Sequence, residues 1–336
     1  MKNSLTRREF IGSTAVMGAA LSTMGLNMKS NAFAAASEEK IYKTQLYSGF
    51  ICGNLDAAAI ENVAQFGGQG IETTAWNVDL NAAREARKIA ESNGIRIHSV
   101  MRAWTNLNQA DQLKTDIESI KTALKNAAAY GADAILLVPC RIDNAGPKPW
   151  DFEIEFDPQT CKVSKVVSGD NAPYADYIKL QNEATEITYS VLEELIPVAA
   201  YEGVTIGIEN VWNNLWVKPE FATAFVQMFD NHWIKFYYDM GNHVKYAKTE
   251  DWLRILGGKN IVKLHFKDFL VDQEKPAGGD FVPIGKGSID WLSVRDTIEE
   301  IGYSGWITFE DVNYFSKEQH VQLFSEFAAG KKFSVE

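Results

Sequence analysis

Cysteine is scarce in this chain of 336 residues, and the few cysteines present are poorly spaced for a shared structural role. The three thiols, at Cys52, Cys140 and Cys161, are odd in number and far apart, with no Cys-x-x-Cys pair. This spacing predicts free thiols rather than a disulfide framework or a cysteine-ligated zinc site.

Basic residues are fewer than acidic ones: the chain has 33 lysines and arginines and 44 aspartates and glutamates, which gives a formal net charge of −11. Such an acidic chain is a poor partner for nucleic acid, whose phosphate backbone is bound by clustered lysine and arginine. Hydrophobic residues make up 46% of the chain, which is enough for a sizeable core. Beyond the N-terminus no apolar run is long enough for a membrane-spanning helix, so we expect none in the mature protein.

Residues 1–36 are predicted to be a twin-arginine export signal and a short linker rather than part of the fold. Arg7 and Arg8 precede a mildly apolar stretch, and residues 32–34 have the Ala-x-Ala form of a cleavage site. An amphipathic N-terminal helix is the alternative interpretation. We expect a protein that folds before export and is periplasmic, or otherwise exported by the twin-arginine route.

From residue 41 onward, short apolar runs alternate with longer segments of helical period. The runs that predict β-strands are residues 42–48, 70–74, 95–100, 133–139, 204–210, 235–240, 261–267 and 306–311. Eight strands alternating with helices over residues 41–336 predict a single α/β domain with a (β/α)8 TIM-barrel fold. The rival, an open doubly wound sheet, usually has a glycine-rich phosphate loop after its first strand, and no such loop follows residue 48.

Two insertions interrupt the alternation, at residues 141–173 after the fourth predicted strand and at 270–288 after the seventh. The first contains two alternating runs around Asp157 and Pro158, which predict a hairpin. Both insertions follow strand ends that meet at the C-terminal face of a barrel, so either is a candidate lid over an active site. A decorative loop is the alternative for the first.

Acidic and histidine side chains stand at the ends of four consecutive predicted strands. They are Glu209, Asp239, His265 and Glu310. Because the strand ends of a barrel meet at one mouth, we expect these side chains to point into it together. Three carboxylates and one imidazole need a positive occupant there, and oxygen-rich ligation with one histidine suits Mn²⁺ or Mg²⁺, with Zn²⁺ or Co²⁺ as alternatives. Any one of these residues alone would more often be a loop cap or a salt-bridge partner.

The segments "IGIEN", "DMGNH", "KLHFKD", "VPIGKGSIDW" and "TFED" resemble motifs of the xylose-isomerase-like TIM barrels of the sugar phosphate isomerase/epimerase family. The similarity is greatest to the L-ribulose/L-xylulose 5-phosphate 3-epimerase branch; it covers most of residues 41–330 and is strongest over 204–312. It implies that the four strand-end residues bind one divalent metal ion, with Mn²⁺ favoured. It also implies that Glu209 and Glu310 move a proton next to a carbonyl through a metal-bound enediolate, as in an epimerase or an aldose–ketose isomerase.

Further polar and aromatic residues near predicted strand ends are candidates for substrate binding. They are His98, Glu72, Trp76, Trp104, Trp212, His243 and Lys267. Aromatic faces suit the C–H faces of sugars, although tryptophan at a barrel mouth is also often mere packing. His243 lies one residue later than the substrate-binding histidine of ketose 3-epimerases, and the arginine those enzymes place after the seventh strand has no clear match here.

The expected substrate is a small ketose or keto-sugar without phosphate, because export separates the protein from cytoplasmic sugar phosphates and no basic cluster is visible in the sequence. A 3-keto-glycoside lyase acting by β-elimination is the first alternative, and a non-catalytic sugar-binding protein is the second. An endonuclease on a related barrel would need several zinc-ligating histidines, whereas the chain has five histidines in total and one at the proposed ligand positions. A homo-oligomer is an open possibility.

Overall fold

Parallel β-strands and α-helices alternate along the chain in the computed structural model, which describes residues 40–144, 146–310 and 314–335. In chain order the elements are β1 (Leu46–Cys52), α1 (Ala57–Gln65), β2 (Gly70–Thr73), α2 (Leu80–Ser92), β3 (Arg96–Trp104), α3 (Leu113–Tyr130), β4 (Ala134–Val138), β5 (Glu155–Phe156), β6 (Val163–Lys165), α4 (Ala175–Glu202), β7 (Thr205–Glu209), α5 (Pro219–Gln227), β8 (Ile234–Asp239), α6 (Thr249–Leu256), β9 (Ile261–Phe266), β10 (Asp268–Val271), β11 (Gly279–Val282), α7 (Trp291–Glu300), β12 (Gly305–Phe309) and α8 (Lys317–Ala328).

Eight of these strands close into a parallel barrel in the order β1-β2-β3-β4-β7-β8-β9-β12, with β12 returning to pair with β1. Helices cover the connections between successive strands, so the fold is the predicted (β/α)8 TIM barrel. Among the described residues, none of the helices combines the length and the apolarity that a membrane crossing needs. The segment predicted to be an export signal and linker, residues 1–36, lies outside the described residues.

Side chains along β4 alternate between two separate hydrophobic clusters, one inside the barrel and one between the strands and the helices. Ile135 belongs to the large apolar layer between the strands and the helices, whereas Leu136 and Val138 join Tyr237 in a smaller cluster inside the barrel. Successive strand residues face opposite sides, so a continuously apolar strand is buried on both. Full burial of each such side chain stabilises the fold by about 1.5–3 kcal/mol.

Two of the helices end at a glycine that adopts a left-handed backbone conformation. Gly131 and Gly203 adopt φ angles of 78° and 67°, and their N–H groups satisfy the last carbonyls of α3 and α4. A residue with a Cβ is strained in this conformation, so glycine ends these helices at low cost.

The first and third strands differ most from their sequence-based predictions, and the others differ by one or two residues at their ends. The first strand begins at Leu46 rather than at residue 42, because the N–H groups of Lys43 and Thr44 are bonded to the Glu299 carboxylate instead of to a strand. The third strand continues beyond residue 100 to Trp104, with an irregularity in its register between residues 101 and 103. This extension changes which of its side chains reach the mouth.

Both insertions contain antiparallel pairs. In residues 141–173 the short strands β5 and β6 pair, as expected for a hairpin. After β9 the chain forms a second hairpin, in which β10 pairs with β11, and neither of these strands was predicted from the sequence. Each insertion leaves the C-terminal end of a barrel strand, which places both at the mouth.

Candidate active site

Four strand ends bring three carboxylates and one imidazole together at the mouth of the barrel. We call Glu209, Asp239, His265 and Glu310 the carboxylate–histidine cluster; one ligand atom from each lies within 4.8 Å of all the others. Three of the four residues are buried, while the Glu310 side chain is 26% exposed. The cluster is therefore closed from below and open toward solvent on the Glu310 side.

His265 Nδ1 lies at the centre of the cluster. It is 3.2 Å from Glu310 Oε2, 3.5 Å from Glu209 Oε1 and 3.9 Å from Asp239 Oδ2. The other ring nitrogen, Nε2, is 3.0 Å from Glu72 Oε2, so Nε2–H donates to that carboxylate. With the ring protonated, Nδ1–H donates to Glu310, and a bound cation would replace that proton and take the Nδ1 lone pair.

The two oxygens of Asp239 have different surroundings. Oδ1 accepts hydrogen bonds from the N–H groups of Gly241 and Asn242 at 2.8 and 2.7 Å, whereas Oδ2 is fully buried without a hydrogen-bond partner among the described residues. Gly241 permits this turn, because a Cβ there would lie 2.8 Å from the carbonyl oxygen of Lys267. The turn thus fixes the carboxylate with one oxygen free to face the cluster.

The pKa values of the cluster residues reflect both their burial and the charges of their neighbours. Burial raises the pKa of Glu209, and it raises the pKa of Asp239 to about 8. Burial also opposes ionisation of Glu310, but the hydrogen bond and charge of His265 hold the pKa of that carboxyl well below its usual range. Burial disfavours the imidazolium of His265, yet its carboxylate neighbours, led by Glu72, raise its pKa well above the usual value.

The donor set fits a divalent cation. Three carboxylates and one imidazole converge within 4.8 Å, and one buried carboxylate oxygen, Asp239 Oδ2, points among them without a hydrogen bond from the described residues, with the Lys267 ammonium 3.4 Å away. A buried oxygen of this kind costs free energy unless a proton or a cation satisfies it. Oxygen-rich ligation with one nitrogen is shared by Mn²⁺, Mg²⁺, Zn²⁺ and Co²⁺ sites, so the residues do not select one metal.

Lys267 lies beside the cluster, and its contact with substrate stays a prediction. Its Nζ is 2.8 Å from Glu310 Oε2 and 3.4 Å from Asp239 Oδ2, and 4.7 Å from the ring centroid of Phe281. Burial lowers the pKa of this ammonium, but the nearby carboxylates outweigh burial and raise it above the ordinary lysine value. Lys267 is therefore a fixed positive charge at the edge of the site.

Two residues proposed to bind substrate lie inside the barrel instead. Glu72 is fully buried beneath the cluster, where it accepts hydrogen bonds from Tyr237 Oη at 2.6 Å and from His265. His98 is fully buried and stacks on Trp306 with 4.4 Å between ring centroids. Because β3 continues to Trp104, His98 is the third residue of its strand rather than the last, and it does not face the mouth.

His243 also points away from the mouth. It is fully buried, its Nε2 lies 3.1 Å from the carbonyl oxygen of Val211, and its ring packs against Trp252 and Tyr246. Burial lowers its pKa to about 3, so the imidazole is neutral, and its Nε2–H donates a hydrogen bond to the Val211 carbonyl. This histidine holds the turn after β8 against the loop after β7.

The tryptophans lie at the rim of the barrel. Trp104 is 40% exposed, and the Arg141 guanidinium lies over its ring, 4.6 Å from the centroid. The Arg102 guanidinium lies over the Trp76 ring in the same way, 4.5 Å from the centroid. For both, contact with substrate stays a prediction. Trp212 is nearer the cluster, because it stacks on the Phe281 ring that Lys267 also contacts.

The sequence did not single out Phe281 or Asn210, which support the site. Phe281 stacks on Trp212 with 4.9 Å between centroids and 26° between planes, and it belongs to the unforeseen hairpin. Asn210 accepts from the Asp239 N–H at 2.7 Å and donates to the Asp239 carbonyl at 2.8 Å. Asn210 could have been found from the sequence, because it directly follows Glu209 at the end of β7. No feature of the hydrophobic pattern indicated that Phe281 lies near the site.

A family model described as xylose isomerase-like TIM barrel matches residues 60–323, and the chain belongs to this family. Among curated relatives, the L-ribulose-5-phosphate 3-epimerase UlaE of Escherichia coli O1:K1 / APEC is 27% identical over 129 residues, which is 38% of this chain and 44% of UlaE. The chain spans about half the length of the curated relatives it matches.

Solved structures share the fold over a greater length. A D-tagatose 3-epimerase-like protein superposes with a TM-score of 0.63 and 18% identity, covering 84% of this chain and 96% of that one. The IolI protein, whose structure contains a zinc atom, superposes with a TM-score of 0.60 and 18% identity, covering 86% and 100%. At this identity the likeness establishes the fold.

Proposed function

We propose that the protein is a divalent-metal-dependent sugar isomerase or epimerase, which abstracts a proton next to the carbonyl of a small ketose or keto-sugar. The observation that carries the proposal is the carboxylate–histidine cluster, in which a buried Asp239 oxygen that accepts no hydrogen bond from the described residues lies among Glu209, Glu310 and His265. A structural ion pair needs no such collection of acids, whereas metal-assisted proton transfer does.

A bound divalent ion supplies Lewis acidity to a substrate carbonyl and its neighbouring hydroxyl. The proton transfers are carried out by side chains of the protein. Glu209 and Glu310 end strands separated by β8 and β9, so their carboxylates approach a bound sugar from different sides. One takes the C–H proton and the other returns a proton, which inverts the carbon when the faces differ and isomerises the sugar when the carbons differ.

Other residues hold the substrate and the proton carriers in place. Lys267 Nζ, 2.8 Å from Glu310, stabilises negative charge that develops on a substrate oxygen. The rings of Trp212 and Phe281 stack on each other, and the ammoniums of Lys245 and Lys267 lie over their outer faces, so they present apolar ring edges to the C–H groups of a sugar. His265 is held by Glu72 with its Nδ1 toward the cluster, so it acts as a ligand rather than as a proton carrier.

The test is proton NMR of substrates incubated in D₂O with Mn²⁺-loaded protein, quenched and demetallated before recording. We expect metal-dependent uptake of deuterium at the carbon next to a carbonyl. Glu209→Gln and Glu310→Gln are each expected to lower the rate by at least about a hundredfold while the circular dichroism spectrum stays native. Glu61→Gln, on the exposed face of α1, is the matched control and keeps full activity.

The result that would count against the proposal is exchange that survives in both variants, or no exchange with any ketose, keto-glycoside or ketose phosphate although metal is bound. Metal content is measured for each variant, because both glutamates are also proposed ligands. Appearance of an unsaturated sugar and a free aglycone from a 3-keto glycoside would identify the β-eliminating alternative instead.

We also propose export by the twin-arginine route to the periplasm, which rests on the Arg7-Arg8 pair and the small residues at 32–34. Cell fractionation checks it. Lys substitutions of both arginines are expected to retain the precursor in the cytoplasm, and unchanged export of that variant would refute the assignment.

A further inference from the structure

Two lysines and two aromatic rings form one continuous stack that ends at the carboxylate–histidine cluster. The Lys245 ammonium lies 3.6 Å from the centroid of the Trp212 ring, and Trp212 stacks on Phe281 with 4.9 Å between centroids. The Lys267 ammonium lies 4.7 Å from the Phe281 centroid and 2.8 Å from Glu310 Oε2. We call Lys245, Trp212, Phe281 and Lys267 the lysine–aromatic column.

Each contact in the column is attractive. An ammonium within about 6 Å of an aromatic centroid is held by the charge distribution of the ring, and stacked rings stabilise each other further. The members belong to four segments, because Trp212 follows β7, Lys245 follows β8, Lys267 follows β9 and Phe281 lies in β11. The column therefore connects the hairpin of β10 and β11 to three strand ends of the barrel.

Trp212 is held firmly in place within the column. Its indole N–H donates to the Asn242 carbonyl at 2.7 Å, and the Asn242 N–H donates to Asp239 Oδ1 at 2.7 Å. Trp212 also contacts both strands of the hairpin, because it packs edge-to-face on Phe269, 5.6 Å between centroids, and stacks on Phe281. The hairpin thus rests on a ring that is bonded to the turn orienting Asp239.

Lys245 also contacts the tip of the hairpin, residues 272–278. Its Nζ donates to the Ala277 carbonyl at 3.0 Å. A Cβ on Gly278 would lie 3.4 Å from Lys245 Cδ, so the tip packs directly against the lysine stem. Among the described residues, no other hydrogen bond connects this tip to the barrel. One side chain therefore joins the tip to Trp212.

The surroundings of Lys245 do not explain its burial by an ion pair. The side chain is half-buried, and within the described part of the chain no carboxylate lies within ion-pair distance of its ammonium. Burial lowers the pKa of Lys245 to about 8, so at pH 7 the side chain is charged although burial opposes that charge. Lysine is seldom buried without an acidic partner. The contacts that hold this ammonium are the Trp212 ring and the carbonyl at the hairpin tip.

We propose that Lys245 is a positioning residue, which holds the hairpin tip against Trp212 and thereby keeps Phe281 over Lys267. The inference rests on the proposed function for the roles of Lys267 and Glu310. Lys245 acts through the two rings and does not reach the reacting atoms itself. Without its ammonium the hairpin stays attached at its base, but the tip is released and Phe281 no longer confines the Lys267 ammonium beside Glu310.

Amide hydrogen exchange followed by mass spectrometry tests the position of the hairpin without reference to catalysis. Lys245→Met keeps an apolar stem over Trp212 and removes the ammonium. We expect the amides of residues 268–282 to exchange at least about tenfold faster in this variant than in wild type, while peptides from α3 are unchanged. Lys245→Arg, which keeps a cation and a donor, should restore most of the protection. Lys275→Met, which removes an ion pair within the same hairpin, is the matched control and should keep wild-type protection.

The kinetic test asks whether the hairpin position matters to the reaction. In metal-loaded Lys245→Met we expect kcat/KM for deuterium uptake by the sugar to fall about tenfold, as for the loss of one cation–aromatic contact, and Lys245→Arg should recover most of it. In a Phe281→Leu background the same Lys245→Met change should lower kcat/KM by less than about twofold. The reason is that the ring through which Lys245 acts is already missing.

Unchanged amide exchange of the hairpin in Lys245→Met overturns the inference. A full tenfold fall in the Phe281→Leu background also overturns it, because Lys245 would then act on the substrate by another route. Faster amide exchange with unaltered kcat/KM shows that the hairpin is held by Lys245 to no catalytic purpose, which refutes the positioning role. A wild type that exchanges no sugar proton refutes the proposed function instead, and the amide measurement still decides whether Lys245 holds the hairpin.

Discussion

Single residues in the site owe their positions to neighbours rather than to their own strand alone. Asp239 is held by two N–H groups of the turn that follows it, which leaves one oxygen for the cluster. His265 is held from below by Glu72, whose carboxylate accepts from Nε2 at 3.0 Å and from Tyr237 at 2.6 Å. Such supporting carboxylates fix the tautomer of a metal-binding histidine and raise its basicity.

The role of Glu72 predicts a change in metal affinity. Glu72→Gln keeps the size of the side chain and an oxygen for His265 Nε2–H, but it removes the negative charge. We expect the affinity of the metal-free protein for Mn²⁺ to fall by about tenfold to a hundredfold. Titration calorimetry measures this directly, without relying on activity.

Two further variants separate support of His265 from simple packing. Tyr237→Phe removes the second hydrogen bond to Glu72 and a 3.3 Å contact with Ser99 Oγ but keeps the Glu72 charge, so it should weaken Mn²⁺ binding less than Glu72→Gln does. Glu61→Gln, remote from the site, leaves the affinity unchanged. Unaltered Mn²⁺ affinity in Glu72→Gln would mean that Glu72 serves the fold and not the ligand.

Strand-end residues were predictable from sequence where the strand end itself was clear. Asp239 ends β8 at the change from aromatic residues to a Gly-Asn turn, and the alternation of β9 placed His265 on the inner face. His98 was misplaced because "IRIHSV" already reads as a complete strand, whereas β3 runs on through a register shift and an Ala103 with φ of 56°. The hydrophobic alternation of a short segment does not indicate that its strand continues beyond an irregularity of this kind.

At the scale of elements, the hairpin of β10 and β11 completes the site by carrying Phe281 to Trp212 and Lys267. Its base is held by Asp268, which is fully buried. One carboxylate oxygen accepts from the N–H groups of Gly285 and Gly287 and from the Trp291 indole, at 2.9 to 3.1 Å. The segment "VPIGKGSIDW" therefore serves to wrap around this carboxylate, a function that its glycines make possible.

Loss of this anchor predicts a less stable fold and a weakened site. Asp268→Ala leaves several buried donors without an acceptor, so the free energy of unfolding should fall by about 3 kcal/mol or more. Urea unfolding followed by circular dichroism measures the change. We also expect KM for sugar to rise, because Phe281 is no longer held over the site.

Asp280→Ala, on the exposed part of the same hairpin, is the matched control. Asp280 is paired only with exposed Lys275, so its loss should change the free energy of unfolding by no more than about 1 kcal/mol. If both variants were equally stable, the hydrogen bonds to Asp268 would not be what holds the hairpin in place.

Across the whole molecule, the barrel strands supply the residues of the carboxylate–histidine cluster and the insertions supply their surroundings. The four cluster residues come from adjacent barrel strands, whose spacing the fold fixes, and this is why they were predictable as a set. Trp212, Lys245 and Phe281 come from connections whose path depends on tertiary packing. No periodic signal relates them in the sequence, so their common column emerged only from the structure.

Because the cluster exists only in the folded barrel, metal should stabilise the whole protein. At a free Mn²⁺ concentration about a hundredfold above Kd, the folded state gains about 2.7 kcal/mol, and Tm should rise by roughly 5 °C or more. Calorimetric scans with Mn²⁺ and with a chelator measure the difference. Asp239→Asn, which removes the unpartnered oxygen's charge, should lose most of this rise, whereas Asp111→Asn on the exposed surface should keep it. A Tm that is the same with Mn²⁺ and chelator in wild type would show that the cluster is not a metal site, and the proton-transfer proposal would fall with it.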